Sequence, residues 1–157
     1  MAKENEKASP ALGIANVRAV QKDELLDAVR EYYDAGLRFV TMTGFDRGDG
    51  FEVLYHFDEN LALRHLQVKL ARDEALPSIS GVYLCAFLSE NEIKELFGIK
   101  ITGIAIDYNG RLLIAENCPA TPMLKDLAAN GTANGKTSGA TKVIQTRAAQ
   151  QDKKEGE

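Results

Sequence analysis

The strictest constraint on the fold is a short alternation bracketed by turn signals. Residues 51–57 read Phe-Glu-Val-Leu-Tyr-His-Phe. Phe51, Val53, Tyr55 and Phe57 therefore share one face while Glu52, Leu54 and His56 take the other, the two-residue period of a strand. Just upstream, Asp46-Arg47-Gly48-Asp49-Gly50 gathers residues that favour tight turns, and the stretch before it, 37–43, is rich in β-branched and aromatic residues. The economical reading is a hairpin. Downstream, Asp58-Glu59-Asn60 is a second turn signal, after which Leu66, Val68 and Leu70 alternate with His65, Gln67 and Lys69 as a third strand would. Leu61 and Leu63 fall out of phase with that set, so a bulge or register change is expected near Arg64. Three strands in an antiparallel meander present one apolar face that another layer must cover.

That cover is legible on both sides of the meander. Leu25, Leu26, Val29, Tyr32 and Tyr33 lie at helical spacing with Lys22, Asp27, Arg30 and Glu31 largely off the stripe, and Gly36 follows where a left-handed cap suits glycine. After the meander, Ala75-Leu76-Pro77 breaks the strand pattern. Ser89-Glu90-Asn91-Glu92 then fits a capping box, with Leu88 and Ile93 flanking it as a hydrophobic staple. The helix predicted from Ser89 has Ile93, Leu96 and Phe97 as its buried side and stops at Gly98. Ile99, Ile101, Ile104 and Ile106 follow, and Asn109-Gly110 separates them from Leu112-Leu113-Ile114, which predicts a closing hairpin. The fold class expected is α+β, an antiparallel or mixed sheet packed against helices in two layers. Residues 1–15 read as a polar arm, 16–123 as the domain, and 124–157 as a mobile or partner-draped tail with Val143-Ile144 as a docking point.

Composition narrows the function classes. A chain of 157 residues with 45% apolar and 27% charged residues holds one domain with a proper core. A net charge of −4 gives no electrostatic footprint for nucleic acid. Two cysteines, Cys85 and Cys118, supply neither a disulfide framework nor the four ligands of a cluster or structural zinc site. Residues 1–10 are polar, without the apolar core of a secretory signal. The longest apolar run, 82–88, has seven residues against the roughly 20 of a spanning helix. The expected location is the cytoplasmic side, with membrane association only through another protein.

Residue types that could carry chemistry have plainer explanations. Gly131 to Thr137 ends like a phosphate-binding loop, but Asn130 stands where the first glycine belongs, and no strand precedes it. Arg47-Gly48-Asp49 is explained by a turn, and Asp46 with Asp49 lacks the spacing of a calcium loop. His56 and His65 could face one another across a hairpin, yet two ligands make a poor metal site, and a surface role is expected. Glu90 and Glu92 fall in a first helical turn, where negative charge complements the dipole. That leaves Glu95, with Phe97 and Gly98, as a contact surface. Cys85, inside an apolar run, is expected to be buried. Cys118 is expected at the surface without an activating base.

Taken together, Leu76-Pro77-Ser78-Ile79 and then Glu90-Asn91-Glu92-Ile93-Lys94-Glu95-Leu96-Phe97-Gly98-Ile99 resemble the signature of the 30 kDa subunit family of respiratory complex I. In that family a proline-serine-isoleucine entry leads to a Glu-Arg-Glu helix closing on an acidic residue, two bulky apolar residues, glycine and isoleucine. Asn91 stands where the arginine is usual, and Ile104-Ala105 follows Gly103 where the family has His-Pro. The resemblance extends upstream through the Asp23 to Tyr33 helix, the Thr43-Gly44-Phe45-Asp46 turn and the Phe51-Glu52-Val53-Leu54-Tyr55-His56 strand, and beyond Gly103 only Arg111-Leu112-Leu113 resembles the family's closing Arg-Leu stretch.

A short chain with this altered C-terminal signature resembles most the homologous small subunit of energy-converting, Ech-type membrane-bound [NiFe] hydrogenases. The resemblance implies an accessory α+β subunit without catalytic residues, cofactor or metal of its own. Nickel-iron and iron–sulfur centres would lie in other subunits. The implied partners are a large subunit like the 49 kDa subunit of complex I and a small iron–sulfur subunit, in a hetero-oligomer that meets the membrane arm only indirectly. The 30 kDa-type subunit of an NADH or ferredoxin–quinone oxidoreductase is the alternative within the family, and a free-standing cytoplasmic binding module the alternative outside it. The interface residues implied are Glu90, Glu92, Glu95, Phe97, Gly98, Ile99, Gly103 and Arg111. Apolar surface awaiting a partner is expected on the 51–57 strand and on the flank of the Glu90 helix.

Overall fold

The computed structural model describes residues 14–115 and 117–125, all within the first of the chain's two units, Met1–Lys125. Most of the polar arm, most of the tail, Val143-Ile144 and the Gly131 to Thr137 segment lie outside the described residues.

The elements run β1 (Val17–Ala19), a single 3-10 turn (Lys22–Glu24), α1 (Leu25–Asp34), β2 (Arg38–Asp46), β3 (Gly50–Glu59), β4 (Ala62–Ala71), β5 (Ala75–Pro77), α2 (Ala86–Phe97) and β6 (Lys100–Thr102). The meander is present as expected: β2 pairs with β3 from Arg38 and Asp58 to Asp46 and Phe51, and β3 with β4 from Gly50 and Ala71 to Glu59 and Ala62, both antiparallel. A strand that periodicity did not reveal, β1, adds in parallel beside β4, giving the order β1-β4-β3-β2. The sheet is therefore mixed.

The register irregularity lies elsewhere than expected. It falls between Phe39 and Thr41 in β2, whereas β4 keeps continuous register from Ala62. Leu63 needs no bulge: it sits on the face shared by His65 and Gln67 and is half exposed, while Leu61 belongs to the turn.

The inner face of the sheet carries the core. Val53, Tyr55, Phe57, Leu66 and Val68 are completely buried and join Leu25 and Val29 of α1 and Ala86 and Ile93 of α2 in one cluster. Each such side chain contributes about 2 kcal/mol through removal from water. Phe57 is its aromatic centre, with Tyr32 of α1 edge-on at 5.0 Å between centroids, Tyr83 at 5.6 Å and Phe39 at 5.8 Å. The aromatics of β3 are thus consumed internally, which corrects the expectation that this strand leaves apolar surface for a partner. The architecture is two-layer α+β.

Asp46 ties the first hairpin to the end of the described chain. Its carboxylate, 4% exposed, accepts from the Gly48 amide at 2.8 Å, Arg72 Nη2 at 2.7 Å and the Lys125 amide at 2.6 Å. Burial opposes its ionisation, but those donors hold its carboxyl below the usual range.

Three features depart from the sequence reading. Ala75-Leu76-Pro77 leaves the large sheet to start a two-stranded parallel one with β6, since Pro77 can end a short edge strand. Asn109-Gly110 does make a turn, with φ of 54° and 70°, but no strands flank it. The third is α2, which begins at Ala86 and so encloses Ser89 and Glu90. Turn bonds from Val82 and Tyr83 to Ile79, Ala86 to Tyr83 and Phe87 to Leu84 wind the chain upstream of Ser89. The amides that Ser89 would have capped are thereby inside the helix, and the expected capping box does not form. Gly98 terminates α2 as expected, at φ 71° with its amide on the Lys94 carbonyl.

Candidate functional site

The early start of α2 changes the meaning of its carboxylates. Ala86, Glu90, Ile93 and Phe97 lie at helical spacing, so Glu90 falls on the stripe that faces the core. It is fully buried. Glu90 Oε1 accepts from the Ile79 amide at 2.7 Å and Oε2 from Ser78 Oγ at 2.7 Å, while Ser78 Oγ and Ser80 Oγ are 2.6 Å apart. Burial raises the Glu90 carboxyl above its usual range, and the bonds from Ser78, Ile79 and Ser80 partly offset that rise. The Pro-Ser-Ile entry and this glutamate are therefore one unit: the carboxylate fixes the 78–80 turn. The buried Tyr55 hydroxyl lies in the same region without a hydrogen-bond partner, and burial beside the Glu90 carboxylate drives its phenol strongly upward.

The opposite flank of α2 holds the segment after β6. Asn91 Nδ2 donates to the Phe87 carbonyl at 2.7 Å and the Ile106 carbonyl at 2.8 Å, and its Oδ1 accepts from the Tyr108 amide at 2.8 Å. Lys94 pairs with Asp107. One turn on, Glu95 accepts three successive amides, Leu112 at 3.1 Å, Leu113 at 2.9 Å and Ile114 at 2.7 Å. Burial opposes the charge on Glu95, but these three donors outweigh it and lower its carboxyl below the usual range. This is why 104–114 is an ordered loop and not a hairpin: side chains of α2 satisfy the amides that strands would have paired. Beyond Gly98, the Met123 amide closes on the Leu96 carbonyl at 3.0 Å.

The eight residues expected at an interface separate accordingly. Glu90, Glu95 and Ile99 are buried and engaged inside the chain, so Glu95 is a loop anchor and not an exposed contact. Phe97 is half-buried against Gly44, where a Cβ would stand 3.2 Å from its ring. Glu92, Gly98, Gly103 and Arg111 are on the surface, and Arg111 lines an open cleft with Lys94, Gly110, Cys118 and Thr121. Asn91, Ser78 and Asp107 are the anchors that sequence reasoning missed. A clue was available for Asn91, which stands where the family resemblance calls for arginine.

Beside the exposed Glu92, α2 and the turn before it leave apolar side chains outside. Leu84 and Leu88, four residues apart, are exposed, as are Ile106 and Tyr108, whose backbone Asn91 ties to α2. Tyr108 lies 6.2 Å from the half-buried Phe87 ring. Leu113 and Met123 extend exposed apolar surface along the anchored loops. Cys85 is exposed too, correcting the expectation of burial, because the turns before α2 send Ile79, Tyr83 and Ala86 inward and leave Leu84 and Cys85 outward.

On the other face of the sheet, His56 and His65 are directly paired across β3 and β4, with Nδ1 atoms 2.7 Å apart and Thr43 Oγ1 2.9 Å from His56 Nε2. They do face each other as expected, but His65 is buried, not a surface residue. Burial, and for His56 the neighbouring ring, lowers both; His56 falls to about 4. Gln67 and Arg47 both reach the buried Glu52 carboxylate beside them. Among the described residues, no three His, Cys, Asp or Glu side chains converge to hold a metal ion, and no helix is long and apolar enough to cross a membrane.

Comparison with known proteins agrees with the fold and the signature. The family model for the 30 kDa subunit of respiratory-chain NADH dehydrogenase matches residues 18–133. The C subunit of NADH-quinone oxidoreductase from Rhodobacter capsulatus is 33% identical over 121 residues, covering 71% of this chain and 60% of that protein. Its counterpart in Rhizobium rhizogenes is 35% identical over 107 residues, covering 62% of this chain and 52% of that one. The chain thus spans little more than half the length of these relatives. Among solved structures, a chain of the membrane-bound sulfane sulfur reductase, an archaeal respiratory membrane complex, superposes with a TM-score of 0.55 at 18% identity, covering 64% of each chain. That likeness is one of fold.

Proposed function

This chain belongs to the family of the 30 kDa subunit of respiratory-chain NADH dehydrogenase, and on that premise we propose that it is an accessory subunit of a complex I-like NADH- or ferredoxin–quinone oxidoreductase. It carries no redox centre. It braces the large subunit of the peripheral arm and meets the membrane only through its partners, on the cytoplasmic side. Between the two branches weighed from sequence, the curated relatives, which are C subunits of NADH-quinone oxidoreductases, favour the quinone branch over the hydrogenase branch.

The observation that carries the reading is the exposed apolar side chains of Leu84, Leu88, Ile106 and Tyr108 on a scaffold whose Glu90, Asn91 and Glu95 are spent internally. A site for chemistry needs convergent polar groups with free valences. Here Glu90, Asn91 and Glu95 are used to stiffen loops, and what the stiffened loops present is a rigid apolar face suited to a protein partner.

The test is replacement of Leu84 and Leu88 by Asp in the chromosomal gene. Solvent-exposed substitutions leave the isolated domain folded within about 0.5 kcal/mol. The reading expects membranes from that strain to lose NADH- or ferredoxin-dependent quinone reduction together with the chain's retention in the purified complex. Full activity and retention would refute it.

A further inference from the structure

The end of α1 carries a carboxylate where a helix favours a cation. Asp34 is the last residue of α1, and the final turn holds no basic residue. The partial negative charge at a helix C-terminus disfavours an acid there and favours Lys or Arg. Asp34 and Glu92 are both exposed, and among the described residues neither carboxylate accepts a hydrogen bond or forms an ion pair. The cations nearest to them in the chain are engaged elsewhere, Arg30 with Asp27, Arg38 with Asp58 and Lys94 with Asp107.

Both carboxylates border the apolar side chains beside α2. Leu84, Leu88 and Glu92 succeed one another in four-residue steps, so Glu92 stands about 6 Å beyond Leu88 along the helix. At the other end, the exposed Tyr33 ring lies edge-on to Tyr83 with 5.3 Å between centroids, and the Tyr83 hydroxyl donates to the Leu37 carbonyl at 2.7 Å. Tyr83 immediately precedes Leu84, so these contacts fix the end of α1 beside the start of the apolar stripe. Asp34 is close enough for its charge to join burial, Tyr33 and Cys85 in pushing the Tyr83 phenol up to about 12.

We propose that this face is covered by a partner subunit whose apolar surface is flanked by two basic side chains, one seated on Asp34 and Tyr33, the other on Glu92. The inference deepens the reading of the chain as a subunit and rests on it. An arginine suits the first position, where it meets a carboxylate, the negative end of a helix and an exposed aromatic ring. Charge separates this occupant from the others. A twofold pairing of the face with itself would bring Asp34 of one copy towards Glu92 of the other, acid against acid. An anionic lipid surface would meet the same two carboxylates.

Charge reversal in the full chain, Asp34→Lys with Glu92→Lys, titrated against the purified remainder of the complex, tests this. Lysine is the favoured charge at the end of α1, so the isolated double variant should melt at the wild-type temperature or about 1–3 °C above it. Its affinity for the complex should nonetheless fall about 10- to 100-fold at about 50 mM salt, and less than about threefold at about 1 M, where the screening length shrinks to about 3 Å. The neutral pair Asp34→Asn with Glu92→Gln should show an intermediate fall. Unchanged or raised affinity, or an equal fall at both salt concentrations, would overturn the basic flanks. A photocrosslinking residue at position 85, exposed within the face, should label a partner subunit; label on a second copy of the chain or on lipid would overturn the occupant. Leu84→Asp with Leu88→Asp, measured alongside, separates the two readings. If that variant binds as the wild type does, the subunit reading of this face fails too; if it alone dissociates, only the basic flanks fail.

Discussion

His56 and His65 place two imidazoles edge to edge on the second face of the sheet, their Nδ1 atoms 2.7 Å apart. One ring can donate to the other only while one of the two Nδ1 atoms stays unprotonated, and burial together with the neighbouring ring lowers His56 to about 4. The unfolded ring titrates near 6.5. A folded value below the unfolded one means that the unfolded chain binds the proton more readily. The pair's contribution is therefore complete above about pH 6.5 and is lost as pH falls towards 4. At pH 5 an unfolded imidazole favours protonation by a factor of about 30 where the folded His56 gains about 1.1, which costs about 2 kcal/mol relative to pH 7.5. His65, shifted in the same direction, adds to the loss.

Carboxylates lowered by their partners, such as Asp46 and Glu95, lose stability mainly below this window, and the raised Glu90 acts with the opposite sign. A control is therefore needed. Urea unfolding of the wild type and of His56→Gln with His65→Gln, at pH 7.5 and pH 5, isolates the pair. The wild type should lose about 2 kcal/mol more than the double variant between the two pH values. Equal losses would refute the claim that these rings are neutral and buried in the fold.

Glu90→Ala should cost about 3–4 kcal/mol, since it opens a cavity and orphans the Ile79 amide and Ser78 hydroxyl, measurable as a lowered urea midpoint. Glu95→Ala should cost only about 1–2 kcal/mol because the three amides it releases lie near solvent, but limited proteolysis should then cut within 112–114. Gly44→Ala puts a methyl 3.2 Å from the Phe97 ring and should destabilise by about 1 kcal/mol, with the change in near-ultraviolet or aromatic NMR signals centred on Phe97.

The meander and α1 were legible because period-two and helical patterns are local and the turn residues lie between them. The edges of the fold were not. β1 and β5 are three residues long, and their partners β4 and β6 are remote in sequence, so neither carries a pattern of its own. Ser89 to Glu92 matched a capping box, but a cap is needed only where amides are orphaned, and the turns from Ile79 onward had already extended the helix. Starting α2 at Ala86 would have put Glu90 on the stripe with Ile93 and Phe97 and revealed it as a buried anchor. Glu95 and Asn91 were harder to read, because their acceptor and donor groups meet the backbone of residues 15 to 19 positions later, which no residue pattern records. The family signature was readable while the work its residues do was not: two of its acidic residues hold loops, and exposed apolar residues lie around them.

The central claim is that this chain is a bracing subunit without redox chemistry of its own, and purification through a tag on the chain tests it most directly. Solubilised in mild detergent, the tagged wild type should elute as a hetero-oligomer with a large complex I-type subunit and an iron–sulfur subunit, active in quinone reduction. The chain separated from that complex should contain no stoichiometric iron, nickel or flavin. A tagged chain that elutes alone from membranes with intact quinone reduction, or that retains a redox centre once separated, would contradict the account.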